Sequence, residues 1–216
     1  MENVVVWGFA WAPPFAQGLV RDLRVRWALE EAGRDYEVRL VGFMERTSDD
    51  HRRRHPFGMI PVVETGGDTV IESGAIVHAI AEECPPLMPP DRRIETLSWM
   101  FVALNTIEPT IQALAAIDQN KDEEWARLRR PAAVEAVKGR LAVLAARLEG
   151  RDYLLGSFTA ADILMASVLR ILRHTDLVSG FPVVGAYLKR CEARPAFRKV
   201  LADQMNEYAL HAPAAA

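Results

Sequence analysis

The stretch from Arg53 to Glu82 constrains the fold of this chain most strongly. An apolar residue meets a proline at Ile60-Pro61, β-branched residues follow, the pair Gly66-Gly67 interrupts them, and a second short run leads into Glu72-Ser73. This order predicts a strand, a tight hairpin, a second strand and a helix. Proline cannot donate to a sheet ladder, so Pro61 at the first residue of a strand marks a bend, for which a cis bond is one solution.

The same stretch contains groups that could hold a charged peptide ligand. A bend at Pro61 leaves the backbone N–H and C=O of Ile60 free to face such a ligand. The N-terminus of a helix that follows Ser73 suits an α-carboxylate, and the acidic Glu72 suits an α-amino group. The same residues have an alternative, purely structural interpretation, in which Ser73 caps the helix and Ile60-Pro61 forms an ordinary trans turn.

The preceding residues predict a strand, a helix and another strand. Val4 to Trp7 is a continuous apolar run of strand length. Apolar positions from about Phe15 to Ala32 step at helical spacing, and Gly33 is a typical helix stop. Tyr36 to Val41 alternates as a half-buried strand does. The first part of the chain therefore has the order βαβ followed by ββα.

This order and its residues resemble the cytosolic glutathione transferase family. The resemblance rests on the following motif residues: Pro56, Gly58, Ile60-Pro61, Val63, Glu72-Ser73, Ala75-Ile76, and the helix from Val25 to Gly33. It implies an α/β thioredoxin-like N-terminal domain followed by an all-α C-terminal helical domain. It also implies that Ile60, beside a cis-Pro61, pairs its backbone with the cysteinyl part of glutathione. Glu72 and Ser73 would hold the γ-glutamyl end.

The chain departs from this family where the glutathione sulfur would lie. Many members place a serine, cysteine or tyrosine near the start of the first helix, but residues 4–35 contain no Ser, Thr, Cys or Tyr. The position that we align with the family's serine or cysteine is Leu19. The remaining candidates for stabilising a thiolate are the Arg21 guanidinium, the Gln17 amide, the Trp11 indole N–H and the backbone N–H groups near Phe15 to Gly18.

Two further parts of the ligand site follow from the resemblance. Cationic side chains from the loop between Gly42 and His55 would meet the glycyl carboxylate, and Arg53 and His55 are the residues that we assign to this role. An apolar electrophile would lie between the two domains against Phe15, Trp99 and Leu104, with Trp11 nearby. The aromatic loop around Trp11 has an alternative role as packing over the sheet edge or as a subunit contact.

A proline-rich segment predicts the domain boundary. Residues 85–91 contain four prolines in six positions, which can neither continue a helix nor enter a sheet. We therefore predict a thioredoxin-like glutathione-binding domain over 1–84, a linker over 85–91 and an all-helical domain over 92–216. Within the last, helices are expected over 92–115, with a kink near Pro109, and over 131–148.

A further helix start is predicted at Thr159. The spacing of Thr159 and Asp162 is that of a capping box, and the helix expected from Ile163 to Leu172 is apolar on nearly every face. Asp162 therefore has a structural role. The surrounding pattern, from Gly156 to Ile163, also resembles the capping motif in the family's C-terminal domain.

Composition excludes several other classes of protein. The chain has 216 residues, half of them apolar, and a net charge of −3, which argues against nucleic acid or an anionic membrane as a partner. No secretion signal or membrane-length apolar run is evident, so a cytoplasmic protein is expected. Cys84 and Cys191 lie far apart, and the histidines lack ligand spacing, so the sequence predicts no metal site.

These observations lead to one predicted function and two alternatives. The expected protein is a homodimeric detoxification enzyme that uses glutathione as a co-substrate and conjugates it to, or reduces with it, a small apolar electrophile or peroxide. One alternative is a non-catalytic relative that binds apolar ligands or a protein partner, which the missing hydroxyl or thiol favours. The other is a glutathione-dependent isomerase or lyase that consumes no net glutathione.

Overall fold

The computed structural model describes residues 1–213, which form two compact units. The first unit comprises residues 1–87 together with the segment that begins at Arg194, and the second comprises residues 88–193. The first unit contains the predicted glutathione-binding stretch. The second unit is helical throughout its regular structure, apart from one π-helical turn.

The first unit is built on a four-stranded sheet. Its strands are β1 (Val4–Phe9), β2 (Tyr36–Val41), β3 (Val62–Thr65) and β4 (Asp68–Ile71), in the order β2-β1-β3-β4. Strand β1 is parallel to β2 and antiparallel to β3, and β3 is antiparallel to β4. The predicted thioredoxin-like arrangement is confirmed. The hairpin is also confirmed, since Gly66 and Gly67 join β3 to β4 with φ of 56° and 92°, which side chains other than glycine rarely adopt.

Three helices accompany the sheet before the chain leaves the first unit: α1 (Asp22–Glu31), α2 (Asp49–Arg54) and α3 (Ser73–Glu82). Helix α1 lies on the face of β1 that carries the buried Val4 and Val6. Strand β1 alternates, so Trp7 points to the other face, where the Arg54 guanidinium of α2 stacks 4.4 Å from its ring.

The first helix begins later than the sequence indicated. Helical spacing predicted a start near Phe15, but residues 14–21 form turns, and α1 begins at Asp22. The carbonyl of Pro13 accepts the N–H groups of Ala16 and Gln17, and Gly18 has φ +72°, which a helix cannot accommodate. The predicted stop at Gly33 is confirmed, with φ +62° just beyond the helix.

The helical unit contains five α-helices: α4 (Arg93–Phe101), α5 (Glu108–Gln119), α6 (Glu124–Leu148), α7 (Ala160–Leu169) and α8 (Pro182–Glu192). A π-helical turn over Val102–Ile107 joins α4 to α5, directly before Pro109. Proline lacks the N–H that an α-helix needs, so this turn is the irregularity expected there. Helix α6 starts at Glu124 rather than at the predicted Pro131, and that proline lies inside it.

The predicted capping box at the start of α7 is confirmed. Both halves of the box, between Thr159 and Asp162, are present. The Asp162 carboxylate is fully buried and also accepts hydrogen bonds from the Leu154 N–H and the Tyr187 hydroxyl, each at 3.0 Å. Burial raises the pKa of Asp162, while these donors oppose the rise. Asp162 therefore joins three segments of the helical unit.

The last helix, α9 (Pro195–Leu210), belongs to the first unit, whereas the predicted boundaries placed every residue after 91 in the helical domain. Polar contacts fix α9 on α1. Arg26 bonds Glu207 at 2.8 Å, Gln204 bonds the buried Asp22 at 3.0 Å, and Lys199 bonds Glu30 at 2.5 Å. The proline-rich segment alone does not show that the chain returns to the first unit after Arg194, because this return depends on long-range contacts.

Residues Pro90–Gln119 form a helical stretch that is long and apolar enough, by composition alone, to cross a membrane. Helix α4 packs against α7, and α5 packs against α6. The buried residues on the stretch include Met100, Ile111 and Leu114. This packing accounts for the apolar composition, and we interpret the stretch as the core of the helical unit.

Candidate functional site

The bend before β3 contains a cis peptide bond between Ile60 and Pro61, as the family resemblance implied. Ile60 lies outside the ladder, since the pairing of β3 begins at Val62. Within residues 1–213, the Ile60 N–H and C=O have no hydrogen-bond partner. One edge of this loop therefore offers a free backbone donor and acceptor, which is the arrangement an extended peptide ligand requires.

The loop that carries Ile60 is held by two neighbouring segments. Gly58 has φ +61°, and its N–H donates to the His55 carbonyl at 2.8 Å. The Arg46 guanidinium donates to the Gly58 carbonyl at 3.3 Å and stacks 4.5 Å from the Phe43 ring. A Cβ on Gly58 would lie 2.7 Å from the Arg46 carbonyl oxygen, so only glycine fits. The position of Ile60 thus depends on the fit of the segments around Gly58 and Arg46.

Helix α3 begins close to this loop, since the Glu72 charge acts on His55. It begins at Ser73, and the first bond within it joins the Ile76 N–H to the Glu72 carbonyl at 2.9 Å. The preceding N–H groups of the first turn are therefore available to an anion. Glu72 itself has φ 68° and ψ 113°, a strained conformation for a residue with a side chain, and its side chain is exposed.

The structure adds Arg24 to this site, a residue that the sequence reasoning missed. Arg24 lies on α1 and is only 3 % exposed, and its guanidinium donates to the Ser73 hydroxyl oxygen at 3.3 Å. A buried cation beside the N-terminus of α3 strengthens the attraction for a carboxylate. The sequence shows Arg24 as a charged residue between the apolar Leu23 and Val25, which suggests a buried cation. Its partner Ser73 becomes visible only in the packing of α1 against α3.

The two residues predicted to meet the glycyl carboxylate have different environments. Arg53 is exposed and bonds Asp50 on its own helix at 2.9 Å. His55 is 3 % exposed, and burial lowers its pKa, although Glu72 opposes that shift. A neutral, buried imidazole is a poor partner for a carboxylate. The Arg46 guanidinium, from the same loop, bonds the carbonyl of Gly58, two residues before Ile60.

The predicted thiolate donors lie in the turns before α1. The N–H groups of Ala16 and Gln17 both donate to the Pro13 carbonyl, so the expected free helix N-terminus near Phe15 does not form there. One N–H of the Gln17 amide donates to the Ala12 carbonyl at 2.9 Å. Arg21 is exposed directly before α1, and Trp11 is half-buried. Their role at a sulfur stays a prediction.

The residues predicted to bind the electrophile are distributed over both units. Phe15, in the first unit, is 63 % exposed. Trp99 and Leu104 are half-buried in the helical unit, where the Arg147 guanidinium lies 5.0 Å from the Trp99 ring. Their joint pocket stays a prediction.

Glycine at position 72 is expected to stabilise the fold while weakening ligand binding. Strain of the Glu72 type costs about 1–3 kcal/mol, so Glu72→Gly should be about 1 kcal/mol more stable to unfolding than Glu72→Ala, which keeps a Cβ. Both variants lose the carboxylate and should bind glutathione equally weakly. Urea unfolding and calorimetric titration measure the two effects, and an alanine variant as stable as the glycine variant would show that Glu72 is unstrained.

Two family models match the chain. The N-terminal domain of glutathione S-transferase matches residues 17–82, and the C-terminal domain of glutathione S-transferase matches residues 106–195. In residues 1–213, no group of three or more His, Cys, Asp or Glu side chains could hold a metal ion.

Individual proteins give the same result. Glutathione S-transferase 4 of Zea mays is 35 % identical over 215 residues, which cover 91 % of each chain. A probable maleylacetoacetate isomerase 2 of Drosophila melanogaster is 27 % identical over 81 % of this chain and 80 % of its own. A glutathione transferase from Burkholderia graminis, solved with two glutathione molecules bound per subunit, superposes with a TM-score of 0.78 at 26 % identity, covering 93 % of this chain and 88 % of its own. The chain belongs to the glutathione transferase family.

Proposed function

We propose that this glutathione transferase conjugates glutathione to a small apolar electrophile, or uses it to reduce a peroxide. The observation that carries the proposal is the unpaired Ile60 backbone, which lies in the same unit as the N-terminus of α3 and the Arg24–Ser73 pair. The glutathione molecules bound to the Burkholderia graminis transferase support the same ligand.

Each charged end of glutathione has a matching group. The γ-glutamyl carboxylate would accept from the first N–H groups of α3 and from the Ser73 hydroxyl, next to the Arg24 guanidinium. Glu72, with its exposed carboxylate, would bind the γ-glutamyl ammonium group. The Ile60 backbone would pair with the cysteinyl residue. For the glycyl carboxylate we favour Arg46 over the predicted Arg53 and His55, because the Arg46 guanidinium bonds the loop at Gly58, whereas Arg53 bonds Asp50 and burial lowers the pKa of His55.

Catalysis would consist of thiolate stabilisation and alignment of the sulfur with its electrophile. Lowering a thiol pKa of about 8.5 by two units requires roughly 2.7 kcal/mol of preferential stabilisation of the thiolate. Residues 4–35 offer no hydroxyl for this purpose. Arg21 and Trp11 remain the candidate donors, and Gln17 retains its second amide hydrogen.

We further propose a homodimeric, cytoplasmic enzyme with a role in detoxification. In the first unit, Met44, Phe57 and Met59 are each at least half exposed, and they lie on the two segments that meet at Gly58. Such a cluster of exposed large apolar residues is typical of an interface with a second copy. Sedimentation equilibrium would detect the dimer.

A glutathione-dependent isomerase is the second candidate. The relative from Drosophila melanogaster, with its isomerase name, favours it. The absence of a hydroxyl or thiol side chain from residues 4–35 favours a third candidate, a relative that binds glutathione without turnover.

A turnover assay separates these functions. The purified protein is incubated with glutathione and either a chlorodinitrobenzene or an organic hydroperoxide, and glutathione consumption is followed. We expect consumption in at least one assay, and a weaker rate at subsaturating glutathione in Ser73→Ala. Glutathione binding without consumption in either assay would contradict the proposed conjugation or reduction.

A further inference from the structure

We infer that His51 is a positioning residue that sets the direction in which the Ile60 N–H faces glutathione. This inference rests on the proposed function. His51 lies on α2, is 2 % exposed, and its Nε2 lies 2.8 Å from the carbonyl oxygen of Met59. A carbonyl oxygen only accepts, so Nε2 carries the hydrogen of this bond.

The bonded carbonyl and the Ile60 N–H belong to the same peptide unit. In a trans peptide the C=O and N–H point in opposite directions, and within residues 1–213 the only cis bond is the one that follows Ile60. Anchoring the Met59 oxygen on His51 therefore turns the Ile60 N–H away from the His51 ring. Without this bond, rotation of the peptide plane would aim the N–H elsewhere.

The anchor is itself held in place. Ser48 caps α2 by accepting the His51 N–H at 3.2 Å, and the imidazole is buried. The other ring nitrogen, Nδ1, has no hydrogen-bond partner within the described part of the chain, so the Met59 carbonyl is the ring's one polar contact there. The bond from Arg46 to the Gly58 carbonyl fixes the preceding peptide, so two consecutive carbonyls of the loop are held. The loop thus meets its ligand with its backbone donor already oriented.

Two substitutions isolate the hydrogen bond from the packing. His51→Met fills the space of the imidazole with an unbranched apolar side chain that has no N–H donor. His51→Gln instead places an amide N–H near the position of Nε2. The control is His174→Met, because the His174 ring also bonds a backbone carbonyl, that of Ile171 at 3.0 Å, but in the helical unit, where its other ring nitrogen bonds Asp118 at 2.9 Å.

The measurements are glutathione affinity, steady-state kinetics and the Ile60 amide resonance in isoleucine-labelled protein. We expect His51→Met to raise the Kd and the KM for glutathione about tenfold, equivalent to ~1.4 kcal/mol. The kcat at saturating glutathione should stay within about twofold, because the N–H contact is made in both ground and transition states. His51→Gln should restore most of the affinity, and the control should match the wild type.

The amide resonance distinguishes positioning from general damage. In ligand-free protein, the chemical shift of the Ile60 amide should change in His51→Met and stay near its wild-type value in His51→Gln. If His51→Met fails to fold, His51→Asn replaces it, since its amide is too short to reach the carbonyl. An unchanged Kd or an unchanged Ile60 resonance in the donor-free variant would overturn the inference. Absence of glutathione binding by the wild type would instead refute the proposed function.

Discussion

Replacing Gly58 with alanine is expected to lower the free energy of unfolding by about 2–4 kcal/mol and to weaken glutathione binding at least about tenfold. A Cβ at this position would approach the Arg46 carbonyl oxygen to 2.7 Å, and the residue would have to keep φ +61°. A backbone atom cannot rotate away as a flexible side chain can. We therefore expect the segments that carry Gly58 and Arg46 to separate, and Ile60 to move with the Gly58 segment.

Gly33→Ala is the matched control for this prediction. Gly33 has nearly the same φ, +62°, but a Cβ there would have no atom within 4 Å. Gly33→Ala should lower the free energy of unfolding by only about 1–2 kcal/mol, because alanine must then adopt a left-handed backbone. It should leave glutathione affinity unchanged. Denaturant unfolding and calorimetric titration of both variants measure the difference. Equal losses in the two variants would show that the contact with Arg46 is unimportant.

Asp162→Ala should destabilise the protein by about 3–5 kcal/mol. The carboxylate accepts hydrogen bonds from the Leu154 N–H, the Thr159 N–H, the Thr159 hydroxyl and the Tyr187 hydroxyl, at 2.9–3.1 Å, and it is fully buried. The two hydroxyls can turn to other partners, but the two backbone N–H groups cannot. Their desolvation without a partner is the main cost, and thermal unfolding should record it.

Asp162→Asn refines the test. The amide oxygen can accept from the Leu154 N–H or the Thr159 N–H, but its NH₂ group then faces the other donor, so an intermediate loss is expected. Ser167→Ala on the same helix should cost less than about 1 kcal/mol, because its hydroxyl only bonds the Ile163 carbonyl of that helix. A loss in Asp162→Ala no larger than this would contradict the assigned role.

Features set by neighbouring residues were predicted correctly from the sequence. The Gly66-Gly67 hairpin and the Thr159–Asp162 capping box each depend on residues within a few positions of one another. For such features, local stereochemistry leaves few alternatives. The cis bond at Pro61 differs from them, because the residues alone left cis and trans open and only the family resemblance implied the cis form.

Features that depend on distant contacts were missed. The role of Arg24 depends on Ser73, 49 positions later, and the placement of α9 depends on bonds such as that between Gln204 and Asp22. The predicted start of α1 was wrong because helical spacing continues through residues 14–21, which form turns, with Gly18 at φ +72°. In each case the residue type was visible, but its partner was not.

We propose that this chain binds glutathione and activates its sulfur. The most direct measurement is the ultraviolet difference spectrum of the thiolate, recorded at saturating glutathione across a range of pH. We predict a saturable thiolate band that is present well below the free thiol pKa of about 8.5. A band that follows the free thiol at every protein concentration would contradict the claim.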